Sequence, residues 1–250
     1  MSSIDIKCEQ NCGIITINKP QIHNALALDD IFKICSTVES WQKLSLSAIV
    51  LTGKGQSFCS GLYIEELKDR KWRENPISVL CEKIENSKFP TICGLNGSVY
   101  GGGVEIALSC DFRVAYSDLA LAIPAVKLGI HYEPKGILRA LRIFGPSLSR
   151  RLFLLGETAY FEDLKKTSFA DFWVDESNKV SVITKELVEI LKGNAPLALK
   201  GMKKTFNDLE RSSISALNAD SRIQACFDSE DHKEALKARS EKRNPVFRGR

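Results

Sequence analysis

The chain has no apolar run long enough to cross a membrane, and its N-terminus lacks the apolar core of a secretory signal. Among its eight cysteines no two have the Cys-x-x-Cys spacing, and only three histidines are present. These absences argue against a membrane-spanning helix, a secreted protein and a zinc site. We therefore expect a cytoplasmic protein with free, mostly buried thiols and no bound metal.

Neither basic nor acidic residues are in large excess over the other. The 250 residues carry a formal net charge of +4, with 26% charged and 44% hydrophobic residues, which is typical of an ordinary globular protein. No nucleic-acid-binding motif accompanies the basic residues, so neither nucleic acid nor a membrane is an expected partner. A basic C-terminal tail is interpreted either as a solvated helix face or as a docking site for an anionic ligand. Its residues are Lys237, Arg239, Lys242, Arg243, Arg248 and Arg250.

Two glycine-bearing segments are the most informative features that the chain does contain. Residues 58–62 follow the apolar, strand-like run 48–52, and residues 101–105 follow the similar run 91–95 and open a helical pattern. Glycine allows a ligand to approach the backbone closely, and the first amides of a helix have no intrahelical acceptor. Two such amides aimed at one point would stabilise an oxygen that gains negative charge. Because Glu105 stands beside them, we expect an anion-binding site next to an acid–base group.

Strand-like and helix-like segments alternate over the first part of the chain, which predicts an α/β fold with crossover connections. We expect strands at 14–17 (after a turn at 11–13), 48–52, 91–95 and 111–115, and helices at 76–87 and 104–110. Residues 65–75 are expected to form a short helix and a mobile loop. A further helix after the first strand should carry, on one apolar face, Leu28, Ile31, Phe32, Cys35 and Val38.

The C-terminal part has a different character. Strand signals nearly vanish after about Ser147, and helical patterns continue to residue 243. Pro196 suits the first turn of one of these helices. The apolar face of that helix should carry Ala198, Met202, Phe206 and Leu209. We interpret this part as a helical appendage that packs on the core or on a partner subunit.

Six ordered segments resemble the crotonase, or enoyl-CoA hydratase/isomerase, family, and together they cover nearly the whole chain. They are NKP at 18–20 with NAL at 24–26, VLTG at 50–53 with FCSG at 58–61, NG at 96–97 with GGGVEIA at 101–107 and CDFRVA at 110–115, VKLGI at 126–130, APLAL at 195–199, and EKRNPVF at 241–247. A single glycine triplet would be a weak signal, whereas six segments in the family's order and spacing are a strong one.

The resemblance implies an α/β fold with a spiral of ββα units over residues 1–193, which would hold the CoA thioester site. Residues 194–250 would form a C-terminal helical oligomerisation (trimerisation) region, in a homotrimer or a dimer of trimers. The implied substrate is an acyl-CoA thioester, and no further cofactor is expected because CoA is part of that substrate. The thioester carbonyl oxygen would accept hydrogen bonds from the N–H groups of Leu62 and Gly102, and Glu105 would move the proton.

The same resemblance assigns residues to CoA by matched position. Ile22 and His23 would lie near the CoA chain, and Ser60 would contact CoA beside the first glycine segment. Lys242 and Phe227 would approach its nucleotide end, from this subunit or a neighbouring one. Part of the basic tail would then bind phosphates.

The chain departs from the family pattern where hydratases carry their second catalytic glutamate, because Ala125 stands there. A methyl group cannot transfer a proton, so hydration by the usual pair of glutamates is not expected. Glu133 falls where several relatives carry a catalytic aspartate, and it is either a second carboxylate of the site or a solvent-facing residue paired with Lys135. His131 and Tyr132 are interpreted as packing residues, with pocket polar groups as the alternative.

Four functions follow from this pattern. The first hypothesis is an enoyl-CoA hydratase that stabilises a thioester enolate. An enoyl- or dienoyl-CoA isomerase would need only one carboxylate to carry a proton between carbons. An acyl-CoA hydrolase would use Glu133 as its nucleophile, and a non-catalytic homologue would only bind acyl-CoA.

Overall fold

The computed structural model describes residues 2–68, 73–213 and 215–250. The strands within this range are β1 Ile4–Glu9, β2 Cys12–Ile17, β3 Ala48–Gly53, β4 Ser57–Cys59, β5 Thr91–Leu95, β6 Ser98–Tyr100, β7 Phe112–Tyr116, β8 Leu121–Ala122, β9 Thr158–Ala159 and β10 Phe172–Val174. The helices are α1 Leu28–Trp41, α2 Glu65–Lys68, α3 Pro76–Glu85, α4 Gly102–Leu108, α5 Pro134–Arg150, α6 Phe161–Leu164, α7 Ser177–Lys192, α8 Pro196–Glu210, α9 Ala216–Phe227 and α10 Glu230–Ser240.

The first sheet has the strand order β1-β2-β3-β5-β7-β10. β1 and β2 form an antiparallel hairpin, and the other neighbouring pairs in this sheet are parallel. β3 and β5 are buried along most of their length, as expected for parallel strands that are covered on both faces. One face packs against the main core, and the other lies under α7, which contributes Val180 and Leu187.

The second sheet, of order β4-β6-β8-β9, places the glycine segments side by side. β4, β6 and β8 run parallel to one another, and β9 pairs with β8 in the antiparallel sense. Three successive units each give a strand to the first sheet, a strand to the second sheet and then a helix, namely β3–β4–α3, β5–β6–α4 and β7–β8–α5. This is the expected spiral of ββα units. The turns that follow β4, β6 and β8 therefore leave the same edge of one sheet.

The predicted strands β2, β3, β5 and β7 and the predicted helices α3 and α4 are confirmed, with bounds that differ by no more than two residues. The predicted turn at 11–13 is wrong by about one residue. It lies at Gln10 and Asn11, which both have positive φ, because Cys12 already pairs with the unpredicted strand β1. The loss of strands after Ser147 is also wrong, since β9 and β10 extend the two sheets. Strands of two or three residues are too short to show a period.

The buried face of α1 differs from the predicted one. Ile31 is buried as predicted, but Phe32 is 74% exposed and Ile34 takes the core position instead. The cause is Asp30, whose buried carboxylate binds Lys19 Nζ at 2.8 Å and fixes the rotation of the first helical turn. The spacing of apolar residues in the sequence does not indicate that a polar residue such as Asp30 is buried and orients the helix.

The C-terminal helices leave much apolar surface open. Pro196 begins α8 as predicted. The predicted apolar face of α8 is present, yet Met202, Phe206 and Leu209 are 55%, 67% and 54% exposed, and they line a groove with α9. The residues on the apolar face of α8 were predicted correctly, but the described residues of the chain leave this face largely exposed.

Three further expectations have outcomes in this range. Five of the eight cysteines are buried, whereas Cys8 is exposed. The short helix predicted within 65–75 is present as α2, while residues 69–72 of that stretch, and Ile214 at the start of the last helical stretch, lie outside the described residues. Among the described helices none combines the length and apolar character needed to span a bilayer.

Candidate functional site

The turn after β4 is held by the segment that precedes α1. The Leu26 N–H donates to the Gly61 carbonyl at 2.8 Å, and the Tyr63 N–H donates to the Leu26 carbonyl at 2.7 Å. The fully buried Asn24 anchors that segment, because its side-chain amide donates to the Ser57 carbonyl at 2.7 Å. An unpaired buried amide would be costly, so this bond fixes the segment on the β3–β4 connection.

The turns after β4 and β6 pack so closely that only glycine fits between them. Gly61 has a φ of +84°, and a Cβ atom there would lie 2.5 Å from the Gly102 nitrogen. A Cβ atom on Gly103 would lie 2.3 Å from the Cys59 carbonyl oxygen. Both contacts are with backbone atoms, which cannot rotate away as a side chain can. The two glycine segments are therefore in direct contact.

This packing leaves two main-chain donors next to each other. Leu62 directly follows Gly61, and Gly102 is the first residue of α4, where amides have no intrahelical acceptor. In the described part of the chain, neither the Leu62 N–H nor the Gly102 N–H donates to a protein acceptor. The Leu62 side chain packs against the core, so the turn presents its backbone rather than its side chain.

Glu105 lies one helical turn beyond Gly102 and is only 3% exposed. Arg139 of α5 donates from Nη1 to its Oε1 at 2.7 Å. The same guanidinium binds both carboxylate oxygens of Glu85 at the end of α3, at 2.6 and 2.9 Å. Arg211, directly after α8, lies 3.2 Å from Glu85 as well. Three helices thus meet at one arginine beside the two donors.

The two acidic residues that share Arg139 have opposite pKa shifts. Burial raises the pKa of Glu105 above its usual value, and the attraction of Arg139 offsets this rise only in part. Burial also acts to raise the pKa of Glu85, but Arg139 and Arg211 together hold it below its usual value. A carboxyl group with a raised pKa is the better proton carrier near neutral pH. Glu105 is therefore the acid–base candidate.

Tyr132 closes the other side of Glu105. Its hydroxyl donates to the Gly101 carbonyl at 3.2 Å and acts to lower the pKa of the neighbouring Glu105 carboxylate. A Cβ atom on Gly136 would lie 2.6 Å from Tyr132 Cε1 and 2.9 Å from Glu105 Oε2, so glycine is needed there. The ring packs edge-on against Phe153, with 5.0 Å between centroids. Tyr132 both packs, as interpreted from the sequence, and forms hydrogen bonds.

The third turn at this edge of the sheet, which follows β8, carries no carboxylate. Ala125 lies in the 3₁₀ turn after β8 and packs against the core. Glu133 precedes α5, is half-buried, and lines a polar cavity together with residues of α3. Lys135 binds Glu82 rather than Glu133, so of the two alternatives for Glu133 the one that pairs it with Lys135 is wrong. Glu133 is near enough to Glu105 to act on its pKa, in the raising direction.

Ile22, His23 and Ser60 lie close to the first turn. Ile22 ends the 3₁₀ turn before Asn24, and His23 follows it in the left-handed conformation with Nδ1 2.9 Å from Ser57 Oγ. Ser60 belongs to the turn itself, and its carbonyl faces Gly101 across the contact between the two segments.

Phe227 and Lys242 lie elsewhere in the fold. Phe227 ends α9, and its ring packs edge-on against His232 of α10, with 5.2 Å between centroids. Lys242 follows α10 on the surface. Both residues belong to the C-terminal region, not to the elements that carry the two glycine turns.

Arg139 and Glu85 were not predicted from the sequence. A signal existed for Arg139, because the buried positions of α5 include Gly136, Arg139, Ala140 and Phe144, which share one face of the helix. A charge in such a core position requires a buried partner. Glu85 gave no comparable signal, since an acidic residue at a helix end usually faces solvent.

Comparisons with known proteins agree with this architecture. The family model described as enoyl-CoA hydratase/isomerase matches residues 7–250. A short-chain-enoyl-CoA hydratase from Clostridium acetobutylicum is 30% identical over 252 residues, which cover 97% of this chain and 96% of the relative. A crotonyl-CoA hydratase from Syntrophomonas wolfei is 28% identical, with 98% and 97% covered.

A solved structure shares the fold over the whole length. A putative enoyl-CoA hydratase/isomerase family protein from Hyphomonas neptunium has a TM-score of 0.92 at 23% identity, and the match covers 100% of this chain and 98% of that one. The family match leaves only the first six residues outside, and the relatives are covered almost from end to end. The chain belongs to the enoyl-CoA hydratase/isomerase, or crotonase, family of enzymes.

Proposed function

We propose that the protein is a 2-enoyl-CoA hydratase that binds the thioester carbonyl oxygen between the N–H groups of Leu62 and Gly102. The observation that carries this proposal is the contact between the two glycine turns, which leaves these two donors without an acceptor among the described residues and next to the buried carboxylate of Glu105. Each such donor contributes about 3 kcal/mol to the stability of a transition state with charge on that oxygen.

Glu105 is the proposed acid–base residue. It takes a proton from water as the water oxygen adds to Cβ of the enoyl group, and the thioester becomes an enolate held by the two donors. Glu105 then gives this proton to Cα of the enolate, which completes the addition of water and returns Glu105 to its carboxylate form. The raised pKa of Glu105 suits both steps, because a carboxylate of ordinary pKa is a weak base near neutral pH. This sequence needs no metal and no redox cofactor.

The remaining assignments are proposals of the same kind. The positions of Ile22, His23 and Ser60 around the first turn support their contact with the CoA chain. Lys242 and Phe227 would reach the nucleotide end from a neighbouring subunit, because both lie in the C-terminal region, away from the two glycine turns. The open apolar face of α8 supports residues 194–250 as the oligomerisation region, and thus a homotrimer or a dimer of trimers.

An enoyl-CoA isomerase is the second candidate, and the observation that favours it is Ala125. Moving a double bond requires one carboxylate that takes a proton from one carbon and returns it to another, whereas the hydratases of this family use two. Glu133, half-buried and near Glu105, is the residue that could restore a pair. It would also be the nucleophile of a hydrolase.

The test compares Glu105→Gln with the matched variant Glu133→Gln on crotonyl-CoA and longer 2-enoyl-CoAs. Hydration is followed as the loss of the conjugated thioester absorbance, isomerisation as its gain from a 3-enoyl-CoA, and hydrolysis as the release of free CoA thiol. We expect hydration that falls by about 10²- to 10⁴-fold in Glu105→Gln and by less than about tenfold in Glu133→Gln.

Other results would change the assignment. Equal activity of the wild type and Glu105→Gln would remove Glu105 as the catalyst. Turnover of only the 3-enoyl substrate would replace hydration by isomerisation, and thiol release that depends on Glu133 would replace it by hydrolysis. Tight binding of CoA esters without turnover would leave only a binding function.

A further inference from the structure

Helix α8 faces the rest of the chain with a polar stripe instead of its apolar face. Lys203, Asn207 and Arg211 are spaced four residues apart, so they lie on the same side of the helix. On the other side Phe206 is 67% exposed. An amphipathic helix ordinarily buries its apolar side, so an inward polar stripe indicates specific partners.

Each residue of the polar stripe binds next to an element of the candidate site. Lys203 Nζ binds Asp111 Oδ2 at 2.6 Å, three residues beyond the end of α4. The Asn207 amide donates to the Glu85 carbonyl at 2.7 Å, and Arg211 Nη2 lies 3.2 Å from Glu85 Oε2. Because α4 carries the proposed donor and the proposed base, and α3 ends at Glu85, α8 fixes the C-terminal ends of both helices.

Arg139 connects the polar stripe to Glu105. Its guanidinium is a buried cation shared by two carboxylates, with Nε and Nη2 on Glu85 and Nη1 on Glu105. One cation cannot balance the buried Glu105 and the half-buried Glu85 together, and Arg211 supplies the second positive charge. A continuous series of ion pairs therefore runs from the end of α8 to the carboxylate beside the two donors.

Resting on the proposed role of Glu105, we propose that Arg139 is a positioning residue for its carboxylate and that Arg211 acts on the same carboxylate through Glu85. The two-point contact with Glu85 fixes the guanidinium plane. Arg139 then holds Oε1 of Glu105 and leaves Oε2 for proton transfer. Through Arg211, directly after α8, the C-terminal region thereby influences the reaction without contacting the reacting acyl group.

Charge decides the direction of the effect. Loss of Arg211 leaves the negative charge of Glu85 less balanced, so Glu105 holds its proton more tightly and its pKa rises, but only slightly, since Arg211 is partly exposed and screened. Loss of Arg139 removes the direct partner of Glu105 and raises its pKa further. The groups that face Glu105 are Cys81 and Glu85 of α3, Tyr132 and Glu133 before α5, and Arg139 of α5.

The test is an NMR titration of the free protein labelled with ¹³Cδ-glutamate, in which the Glu105 signal is identified by its absence in Glu105→Gln. Arg139→Gln and Arg211→Gln are compared with the matched control Arg142→Gln. Arg142 also lies on α5 and binds α8, but its partner is Glu210 at 3.2 Å. We expect the midpoint of the Glu105 titration to rise most in Arg139→Gln, less in Arg211→Gln, and to stay at the wild-type value in Arg142→Gln.

The kinetic counterpart is the acidic limb of kcat/KM on crotonyl-CoA, which should move in the same order, with kcat lowered more than KM is changed in Arg139→Gln. An unmoved midpoint in Arg211→Gln, or equal shifts in Arg211→Gln and Arg142→Gln, would overturn the proposal. If Arg139→Gln does not fold, Arg211→Gln alone decides. The NMR midpoint requires no turnover, so a failure of the proposed hydratase activity would be seen separately.

Discussion

The two sides of the candidate site are built from different parts of the chain. One side is backbone, where the turns at Gly61 and Gly102 approach each other and present two N–H groups. The other side consists of side chains, with Glu105 bound by Arg139 and Tyr132 beside it. A backbone donor survives a change of its own side chain, whereas a proton-transferring group does not. In the proposed function, the first side binds the thioester and can be kept while the second varies to select the reaction.

The largest expected effect is that of Gly61→Ala, which would disrupt the contact between the two glycine turns on the backbone side of the site. The added Cβ atom would lie 2.5 Å from the Gly102 nitrogen, so the two turns must separate. We expect at least the loss caused by removing one donor, about 10²- to 10³-fold in kcat on crotonyl-CoA.

The matched control for this variant is Gly145→Ala. Gly145 also has a positive φ, of +74°, but an added Cβ atom there meets nothing within 4 Å. It therefore reports the cost of the backbone conformation alone, and we expect its kcat to stay near the wild-type value. Equal losses in both variants would assign the effect to conformational strain and not to the contact between the turns.

Gly136→Ala would disturb the side-chain side of the site, again by adding a Cβ atom where there is no room for one. In a helix this change ordinarily stabilises, by up to about 1 kcal/mol. Here the new Cβ atom would lie 2.9 Å from Glu105 Oε2 and 2.6 Å from Tyr132 Cε1. We expect kcat to fall by about 10²-fold through displacement of the carboxylate. Binding of a saturated acyl-CoA, measured by calorimetry, should change little, and a parallel loss of binding would contradict the separation of the two sides.

Tyr132→Phe should have a smaller effect of the same kind. It removes the hydroxyl that donates to the Gly101 carbonyl and keeps the ring that packs on Phe153. A single hydrogen bond of about 1 kcal/mol corresponds to a loss of roughly fivefold in kcat. Because the hydroxyl acts to lower the pKa of Glu105, the acidic limb of the pH profile should move to higher pH. An unmoved limb would limit Tyr132 to packing.

The smallest expected effect belongs to Leu62→Ala. Only the backbone N–H of Leu62 is proposed to act, and its side chain packs partly against the core. We expect kcat to remain within about twofold of the wild-type value. The free energy of unfolding should decrease by less than the loss of about 2 to 5 kcal/mol that follows when a fully buried leucine is replaced by alanine. A loss in kcat as large as that of Gly61→Ala would show that the side chain, not the donor, matters.

The backbone side was largely predictable from the sequence, because its parts are local signals. Apolar runs mark β3 and β5, and glycines mark the positions where no Cβ atom fits. The ββα spiral then places the turns after successive strands of one sheet at the same edge. The family resemblance supplied the expectation that these turns meet.

The side-chain side was less predictable, because its contacts join residues far apart in the sequence. Glu85, Glu105 and Arg139 come from three helices, and nothing in the pattern of one helix identifies the partner on another. The apolar face of α8 was predicted correctly, but its outward orientation depends on the inward contacts of Lys203 and Arg211. The periodicity of a helix predicts which residues share its apolar face, but it does not predict which other residues contact that face.

The most direct test of the account is a crystal structure of the protein with a bound saturated acyl-CoA, which cannot take up water. We predict that the thioester carbonyl oxygen lies about 3 Å from both the Leu62 nitrogen and the Gly102 nitrogen. An oxygen beyond hydrogen-bonding distance of both nitrogens would contradict the central claim.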